Sequence, residues 1–473
     1  MPPERQIYLL DPQELDPETI AVAFAKTSRS PESFRDIAAG LTAEKSAEFH
    51  EKWVVGYGHA SVAEHAVLHL AIEGVSRLAV ETIESNRLAS YTEKSTRYQK
   101  WSPESFYTPP EITSAGPGLL AQYQEACRAL FAAYQQALEA TRASAERDFP
   151  RQPGESDGAW ERRIRPEYVD ACRFLLPAAA TANLGMTINA RALEHALVKM
   201  LSHPLEEVRQ IGAEIKAVAL ERVPTLLKYT APSAYLSETG QALTGLAAAL
   251  GQGQPGDWCQ LVAFTPDSEN QVLAAALYRY GEISYAQASA HVAALDPAGR
   301  EALAAALLGR LDRFDTPLRE LEYAQYVFDV TVDQGAYFEL KRHRMMTQSA
   351  QTLTPRLGYA VPARITRAGV EPLYRAAIEQ AARAYEALAR ATPQAASYVV
   401  PNGCNRRVLL SMNLRSAGHF VSLRAAPNAH FSMRRLALRT AEEIRAAAPL
   451  LGRYLRLPPG ETWQSVEERY FTQ

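Results

Sequence analysis

The chain has few cysteines and no long apolar run. Its four cysteines are scattered through 473 residues without a CxxC pair, which argues against a disulfide scaffold and a structural zinc site. A reduced, cytoplasmic setting is therefore predicted. His65 and His69 have no evident third ligand, so we predict no metal site. No apolar stretch reaches the roughly 18 residues of a membrane-spanning helix, so we expect no membrane partner.

The sequence also lacks an excess of charge of one sign. Its formal net charge is -3, so no global basic field attracts nucleic acid, and small molecules are the predicted partners. The Walker loop is missing as well. Locally placed arginines remain able to hold a small anionic substrate.

What the sequence does contain is an internal repeat. The pattern P-x11-N-x-R-x3-H occurs twice, 224 residues apart. The segment 72–90 also lies over 329–347 at a shift of 257, which aligns Arg87 with Arg344. The repeated positions are Pro177, Asn189, Arg191 and His195 in the first half, and Pro401, Asn413, Arg415 and His419 in the second half.

These two matches define the predicted domains. Copy one spans 1–236, copy two spans 258–473, and a Gly- and Gln-rich linker spans 237–257. The two shifts differ because copy one carries extra sequence, for which the polar stretch 146–168 is the natural place. We expect that stretch to be a loop or an excursion that links two helices.

Each copy alternates strand-like and helix-like segments. AVLHLAIEGV (66–75) and AQYVFDVTV (324–332) predict strands, and the repeated N-x-R-x3-H pattern is predicted to lie on a helix. Alternation of strands with long helices indicates a mixed α and β domain, of the α+β class.

A cluster of basic residues stands at Arg342, His343 and Arg344, followed by hydroxyl residues. The fork of an arginine matches phosphate oxygens, and its plane stacks on aromatic rings. A histidine can donate to a carbonyl group or take up a proton near neutral pH. An isolated tripeptide of this kind is also common in solvated turns. Copy one has Ser85-Asn86-Arg87 at the same place, followed by Ser95 and Arg97, a hydroxyl and a fork suited to a nucleotide phosphate.

Together these motifs resemble those of the flavin-dependent thymidylate synthase family. The family signature is RHR, seven residues, Ser, and an Arg two residues further on. Copy two resembles its first half, and copy one resembles its second half through Arg87, Ser95 and Arg97. GHASVAEHAVLHLAIEGVSR (58–77) resembles the family's GHxSxxEH segment. RFLLP, INARALEH and SMNLRSAGHFVSLR resemble its later blocks.

The resemblance implies a fold and an activity. Members are homotetramers of chains roughly half this length, each a mixed β-sheet flanked by long helices. They hold FAD against dUMP where subunits meet and form dTMP. Methylenetetrahydrofolate gives the one-carbon unit, and NADPH reduces the flavin, which then carries the chemistry while the protein supplies orientation.

The resemblance also assigns residues by position. The implied catalytic residues are Arg344, Arg342, His343 and Ser95. The implied FAD-binding residues are Arg342, His343, Arg344, His59, Ser61, Glu64, Asn189, Arg191, His195, Asn413, Arg415 and His419. The implied substrate-binding residues are Glu93, Ser95, Arg97, Arg173 and Arg424.

Each copy departs from the family pattern in a different place. Copy one lacks the Arg-His of the signature and has Met200 where copy two has Arg424. Copy two has Ser397 in place of Arg173, and threonines in place of Ser95 and Arg97. Its counterpart of the GHxSxxEH segment is RFDTPLRELE (313–322), in which we expect Asp315 to stand opposite His59 and Glu320 to be the retained carboxylate.

This reciprocal loss predicts a homodimer that acts as a pseudo-tetramer, with two intact composite sites and two vestigial ones. Loss in both copies also fits two alternatives. One is a family paralogue that acts on another pyrimidine nucleotide. The other is a non-catalytic protein that binds flavin or nucleotide.

Overall fold

The computed structural model describes residues 8, 10–12, 14–28, 30–99, 101–251 and 256–472. None of the helices in these ranges is long and apolar enough to cross a membrane. The α-helices are α1 (Pro17–Thr27), α2 (Phe34–Ala39), α3 (Ala43–Phe49), α4 (Arg77–Glu84), α5 (Pro110–Ser114), α6 (Pro117–Asp148), α7 (Asp157–Cys172), α8 (Ala190–Leu201), α9 (Glu206–Leu220), α10 (Ala234–Ala248), α11 (Ser268–Tyr280), α12 (Tyr285–Ala294), α13 (Pro297–Leu308), α14 (Gln334–Leu340), α15 (Ala363–Arg367), α16 (Glu371–Ala389), α17 (Leu414–Arg424), α18 (Phe431–Ala447), α19 (Pro449–Gly452) and α20 (Trp463–Tyr470). The strands are β1 (Val67–Ser76), β2 (Ala89–Glu93), β3 (Thr181–Asn189), β4 (Cys259–Phe264), β5 (Gln325–Asp333), β6 (Thr347–Ala350) and β7 (Asn405–Asn413). A π-helix spans His50–Gly56, and short 3-10 helices span Ala60–His65, Thr96–Tyr98, Arg173–Leu175, Arg319–Tyr323, Pro355–Leu357 and Ala395–Val399.

The chain forms two compact units. The first unit comprises Met1–Ser95, Tyr107–Pro117 and Ala180–Gly253, and the second comprises Thr96–Phe106, Gly118–Ala179 and Gln254–Gln473. Long helices from copy one therefore pack into the unit that holds copy two. The predicted boundaries of the copies, 1–236 and 258–473, describe the repeat rather than the packing and stay a prediction.

The first unit contains an antiparallel sheet of order β1-β3-β2. Alternate residues of β3, including Leu184, Met186 and Ile188, are buried, as the two-residue period of a strand dictates when one face meets a core. The strand predicted at 66–75 is confirmed.

The second unit contains an antiparallel sheet of order β4-β5-β7-β6. Buried Tyr326, Phe328 and Val330 alternate along β5, which confirms the strand predicted at 324–332. Long helices accompany both sheets, so the predicted α+β class is confirmed.

Equivalent segments of the two copies meet inside the second unit. Pro177 and Pro401, which the repeat aligns, form an isolated antiparallel bridge. The backbone N–H of Ala179 donates to the carbonyl of Tyr398 at 2.8 Å, and that of Gly403 donates to the carbonyl of Phe174 at 2.7 Å. An added Cβ at Gly403 would lie 2.6 Å from the Tyr374 hydroxyl, so this crossing needs glycine.

The strand registers define the residue shift between the two copies more precisely. Val67 and Gln325 each pair with the asparagine that precedes the next repeated helix, so the strand starts lie 258 residues apart. Strand β1 then contains an irregularity between Ile72 and Val75, where Gly74 adopts a φ of 69°. This extra residue reduces the shift to 257 beyond the bulge.

Two predicted connections have more helix than expected. The Gly- and Gln-rich linker 237–257 is helical over most of its first half, because α10 extends to Ala248, and 252–255 lie outside the described residues. The excursion at 146–168 does link two helices, since α6 ends at Asp148 and α7 begins at Asp157. Most of its second half belongs to α7.

Candidate active site

Two arginines of the second unit converge on one buried carboxylate. Asp170 lies in α7 and is only 3% exposed. Arg97 Nε donates to Asp170 Oδ1 at 2.9 Å, and Arg97 Nη2 donates to Oδ2 at 2.6 Å. Arg173 Nη2 donates to Asp170 Oδ1 at 2.6 Å, and its Nη1 donates to Thr96 Oγ1 at 2.8 Å. Two arginines predicted to bind substrate therefore lie together.

The charges of this cluster do not cancel. Burial acts to raise the pKa of Asp170, but the charge of Arg173 and the hydrogen bond from Arg97 outweigh it, and the pKa falls to about 2. Burial acts to lower the pKa of Arg97, but Asp170 and the charge of Glu339 raise it. Two guanidinium groups facing one ionised carboxylate leave a net positive charge, which suits a phosphate.

The Arg342-His343-Arg344 segment, called the signature turn below, connects α14 to β6. Arg342 and Arg344 are exposed, whereas His343 is 7% exposed. Gln348 Nε2 donates to the carbonyl groups of Leu340 and His343 at 3.0 and 3.1 Å. The turn thus exposes two guanidinium groups on either side of a buried imidazole.

His343 is held as a neutral hydrogen-bond acceptor. Arg424 Nε donates to His343 Nε2 at 2.8 Å. Burial, followed by the charges of Arg424 and His419, lowers the pKa of His343 to about 3. An imidazole whose Nε2 accepts carries its proton on Nδ1. Of the two chemistries open to a histidine here, this environment therefore favours donation from Nδ1–H over proton uptake near neutral pH.

Arg424 is directed at protein groups. Besides the bond to His343, Arg424 Nη1 donates to Glu339 Oε2 at 2.8 Å, and Nη2 donates to the Glu339 carbonyl at 3.1 Å. Each of its three nitrogen atoms thus has a protein acceptor, so Arg424 positions His343. Its predicted role in nucleotide binding stays a prediction.

Glu339 relates the signature turn to the arginine cluster. Its carboxylate pairs with Arg424 and also contributes to the raised pKa of Arg97. The second unit therefore brings together Arg97 and Arg173 of copy one with the signature turn of copy two.

The predicted substrate residues Glu93 and Ser95 belong to the first unit. Glu93 ends β2 and forms an ion pair with Arg77 at 2.9 Å, in which the two side chains are 1% and 6% exposed. Ser95 is exposed. Glu93 thus balances a buried arginine, and its predicted contact with a nucleotide stays a prediction.

A cavity of about 810 Å³ in the first unit is lined by His59, Ser61 and Glu64, all predicted to bind the cofactor. Its walls are rich in rings. Phe24 stacks on His65 with the ring centroids 4.7 Å apart. Further lining side chains are Phe49, Trp53, Ile37 and Val62. The lining also includes the charged side chains Lys26, Glu32 and Asp36, so aromatic rings and ionisable groups share the walls. Aromatic rings in a concave space suit planar ligands.

The two repeated asparagines begin their helices. Asn189 Oδ1 accepts from the backbone N–H of Ala192 at 2.9 Å, and Asn413 Oδ1 accepts from that of Ser416 at 2.8 Å. Both side chains are thereby N-caps of α8 and α17. His195 and His419 lie exposed on the same helices. Contact of these four residues with flavin stays a prediction.

The helix arginines form equivalent ion pairs in the two units. Arg191 pairs with Glu64 in the first unit, and Arg415 Nη1 donates to Glu322 Oε1 at 2.7 Å in the second. Glu322 is therefore the counterpart of Glu64, and the expected assignment to Glu320 is wrong. The expected pair of Glu64 with Glu320 implies a shift of 256, whereas the strand registers give a shift of 258 at the start of β1.

The same shift of 258 corrects a second alignment. Pro317, rather than Asp315, stands opposite His59, and its carbonyl accepts from Arg415 Nε at 3.0 Å.

No group of three or more His, Cys, Asp or Glu in the ranges that the structure describes is placed to hold a metal ion.

A family model described as "Thymidylate synthase complementing protein" matches residues 9–225 and 260–450. The chain belongs to this family. Flavin-dependent thymidylate synthases are among its members. The matched segments fall on either side of the predicted linker.

Relatives of this family member fall into two length classes. A "UPF0159 protein" of Chlamydia muridarum is 31% identical over 444 residues, which are 90% of this chain and 83% of the relative. A flavin-dependent thymidylate synthase of Clostridium tetani is 27% identical over 223 residues, which are 46% of this chain and 84% of that enzyme. A crystal structure of flavin dependent thymidylate synthase from Helicobacter pylori, complexed with FAD and dUMP, has 19% identity and a TM-score of 0.32, and covers 42% of this chain and 99% of that chain.

Sequence reasoning about this family member missed Asp170 and Glu339. Asp170 precedes Arg173 by three residues, a spacing that places two side chains on the same face of a helix, so its pairing was detectable. Glu339 had no such signal, because Arg424 lies 85 residues away in the chain.

Proposed function

We propose that this chain methylates dUMP to dTMP with FAD as its cofactor, at composite sites that use both sequence copies. Methylenetetrahydrofolate is the proposed one-carbon donor, NADPH the proposed reductant, and the cytoplasm the proposed location. The observation that carries the proposal is the arrangement in the second unit. There Arg97 and Arg173 of copy one accompany the signature turn of copy two.

The residues of the signature turn fit FAD. Bound FAD would supply the hydride chemistry, and the protein would supply orientation and electrostatics. Arg342 and Arg344 expose guanidinium groups that suit phosphate oxygens or the face of a flavin ring. His343, held neutral by burial and by the charge of Arg424, offers an Nδ1–H donor rather than an acidic proton. The ring-lined cavity with Ser61 and Glu64 supports a planar ligand independently.

Arg97 and Arg173 are the proposed phosphate ligands for dUMP. Together with Asp170 they carry a net charge of one positive unit. A phosphate monoester brings a charge of about -1.5 to -2 near neutral pH. The phosphate would therefore neutralise the positive charge of the cluster, while Asp170 holds the two guanidinium groups close together. Ser95 and Glu93 remain proposed contacts to the sugar or the base.

A pair of chains is the proposed active particle. Its four family-like copies would form a pseudo-tetramer with two intact and two vestigial sites. The reciprocal loss of motif halves supports this arrangement. The equivalent ion pairs and strand registers of the two units support the tandem duplication on which it rests.

One observation favours a second candidate, a family member that acts on another pyrimidine nucleotide. Glu93 is buried against Arg77, and Arg424 is bonded to His343 and Glu339, so two predicted nucleotide contacts are directed at protein groups. Tight flavin binding without dUMP binding would select this candidate. Binding of neither, after reconstitution, would select a non-catalytic role.

Complementation of a thymidine-requiring bacterium tests the proposed activity. The wild-type chain should restore growth, and Arg344→Ala should not, because the substitution removes a guanidinium of the signature turn. Arg383→Ala, which changes an exposed arginine of α16, is the matched control. Growth that is the same with Arg344→Ala as with the wild type would remove Arg344 from the mechanism.

A further inference from the structure

The turn at 85–87 in the first unit has the same pattern of hydrogen bonds to its backbone carbonyl groups as the signature turn, and we call this shared pattern the backbone frame. Tyr91 Oη donates to the carbonyl groups of Ile83 and Asn86 at 2.9 and 3.0 Å. In the second unit, Gln348 donates to the two carbonyl groups that lie 257 residues further along the chain. The frame is therefore retained, although its first two side chains are different.

Lys199 brings a cation to this retained frame. Its Nζ donates to Ser85 Oγ at 2.7 Å, and Ser85 Oγ donates to the carbonyl of Thr82 at 2.6 Å. In the second unit the equivalent helix supplies Arg424 to the signature turn. The counterpart of Arg424 is Met200, which is buried. In the first unit the cation therefore comes from Lys199, which stands one residue before Met200 on the equivalent helix, α8.

Lys199 has no carboxylate partner within the described part of the chain, and its bond to Ser85 brings no negative charge. Burial lowers the pKa of Lys199 to about 8. Its place in the last turn of α8 gives partial compensation, because the carbonyl end of a helix favours a cation. A partly buried ammonium group without a counter-ion is nevertheless unfavourable, and a bound anion would offset that cost.

We propose that Lys199 and Ser85 form an anion site in the first unit, and that its ligand is a phosphate group. The ammonium provides charge and the N–H donors that are not directed at Ser85, while the Ser85 hydroxyl, whose hydrogen goes to the Thr82 carbonyl, holds the ammonium at the turn. Arg87, exposed two residues along the same turn, adds positive charge to its surroundings. The phosphate is inorganic or belongs to a nucleotide. This site does not require the chain to make thymidylate.

Protection of Lys199 from chemical labelling tests the site. Full-length protein is treated with trinitrobenzenesulfonate at about pH 8, with inorganic phosphate or dUMP at roughly millimolar concentration, and labelled lysines are identified by peptide mass spectrometry. Lys199 should react faster than Lys228, whose pKa is raised by its hydrogen bond to Glu51. Phosphate should slow labelling of Lys199 by roughly tenfold or more and leave Lys228 unchanged.

The two ligands separate the possible sources of the phosphate. Protection by both identifies the phosphate group itself as the ligand, and protection by dUMP alone assigns the site to a nucleotide. If neither inorganic phosphate nor dUMP protects Lys199, the proposal is overturned. This result is independent of thymidylate formation, so failure of one proposal is distinguishable from failure of the other.

Variants exclude an indirect effect from the arginine cluster of the second unit. Protection of Lys199 should persist in Arg97→Ala, and its disappearance there would overturn the site. Lys199→Met should bind one phosphate equivalent fewer per chain, and Lys199→Arg should restore it. The labelling of the wild-type chain decides the question even where a variant fails to fold.

Discussion

At the scale of single residues, Asp170 shows how burial and charge determine one another. Desolvation alone would favour its protonated form, yet two guanidinium groups keep it ionised at neutral pH. A buried carboxylate with charge-assisted hydrogen bonds on both oxygens is rigidly placed, and so are Arg97 and Arg173. The orientation of the proposed phosphate ligands is thus determined before any ligand arrives.

Asp170→Asn should weaken both stability and nucleotide binding. The substitution keeps the shape but leaves two partly buried guanidinium groups uncompensated, so we expect a loss of about 3 kcal/mol in the free energy of unfolding. Urea denaturation measures that loss, and equilibrium dialysis should show at least a roughly tenfold weaker affinity for dUMP. Asp157→Asn, at a side chain that is 87% exposed, should change stability by less than about 0.5 kcal/mol. Unchanged stability in Asp170→Asn would contradict the structure at this position.

His343→Asn should reduce the sensitivity of the fold to acid. The folded pKa of His343, about 3, lies below its usual value of 6.5, so between these values the unfolded chain binds a proton that the folded chain does not. Stability is therefore lost as the pH falls from about 6.5 towards 3. Asparagine, which stands at the equivalent position in copy one, does not titrate.

Urea midpoints at about pH 7 and about pH 4.5 measure this effect. The drop between them should be smaller in His343→Asn than in the wild type. Some drop should remain, because burial also lowers the pKa of His203 and His430. An identical drop in both proteins would show that His343 titrates normally.

At the scale of secondary-structure elements, the same residues serve the helix and the proposed site. The repeated asparagines are N-caps, which explains their position at the junction of a strand and a helix without any ligand. The repeated arginines pair with a glutamate from the turn before the neighbouring strand. Local structure alone therefore accounts for part of the repeated pattern.

Asn413→Ala should separate capping from cofactor binding. Loss of the cap should lower the free energy of unfolding by about 1 kcal/mol, and Asn413→Asp, which also caps, should restore it. Flavin retention after gel filtration is the second measurement. Loss of flavin in the aspartate variant, despite restored stability, would show that the carboxamide contacts the cofactor.

Glu64→Gln should affect flavin far more than stability. The ion pair of Glu64 with Arg191 is half exposed, and such pairs contribute roughly 0–1 kcal/mol. Calorimetric melting should therefore change little, while flavin affinity should fall if Glu64 contacts the cofactor. Glu322→Gln is the matched variant, because Glu322 forms the equivalent pair in the second unit. Equal flavin affinity in the wild type and Glu64→Gln would remove Glu64 from the proposed pocket.

At the scale of the whole molecule, sequence copies and packing units are different divisions of the chain. Segments 118–179 of copy one pack with copy two, and the aligned residues Pro177 and Pro401 pair directly. Because this segment of copy one packs with copy two, residues from both copies lie in one candidate site. This packing also means that copy two, cut at the predicted linker, would lack 96–106 and 118–179 of its packing unit, and that these segments would remain in copy one without the rest of that unit.

The mass and flavin content of the purified protein test the proposed assembly. Light scattering should give about twice the chain mass of 52.1 kDa. Flavin absorbance should correspond to one FAD per chain, because only the intact half of the four sites would bind it. A well-folded monomer would contradict the pseudo-tetramer, and two FAD per chain would contradict the loss of function in the vestigial sites.

The sequence by itself determined the repeat, the strands at 66–75 and 324–332, the mixed class and the family. These features depend on local periodicity and on motif order, both of which are written along the chain. The tertiary structure was needed to show that Asp170 holds the two arginines, that burial and Arg424 keep His343 neutral, and that Glu322 is the counterpart of Glu64. Those outcomes depend on desolvation, on long-range pairing and on strand register, which a linear pattern does not specify.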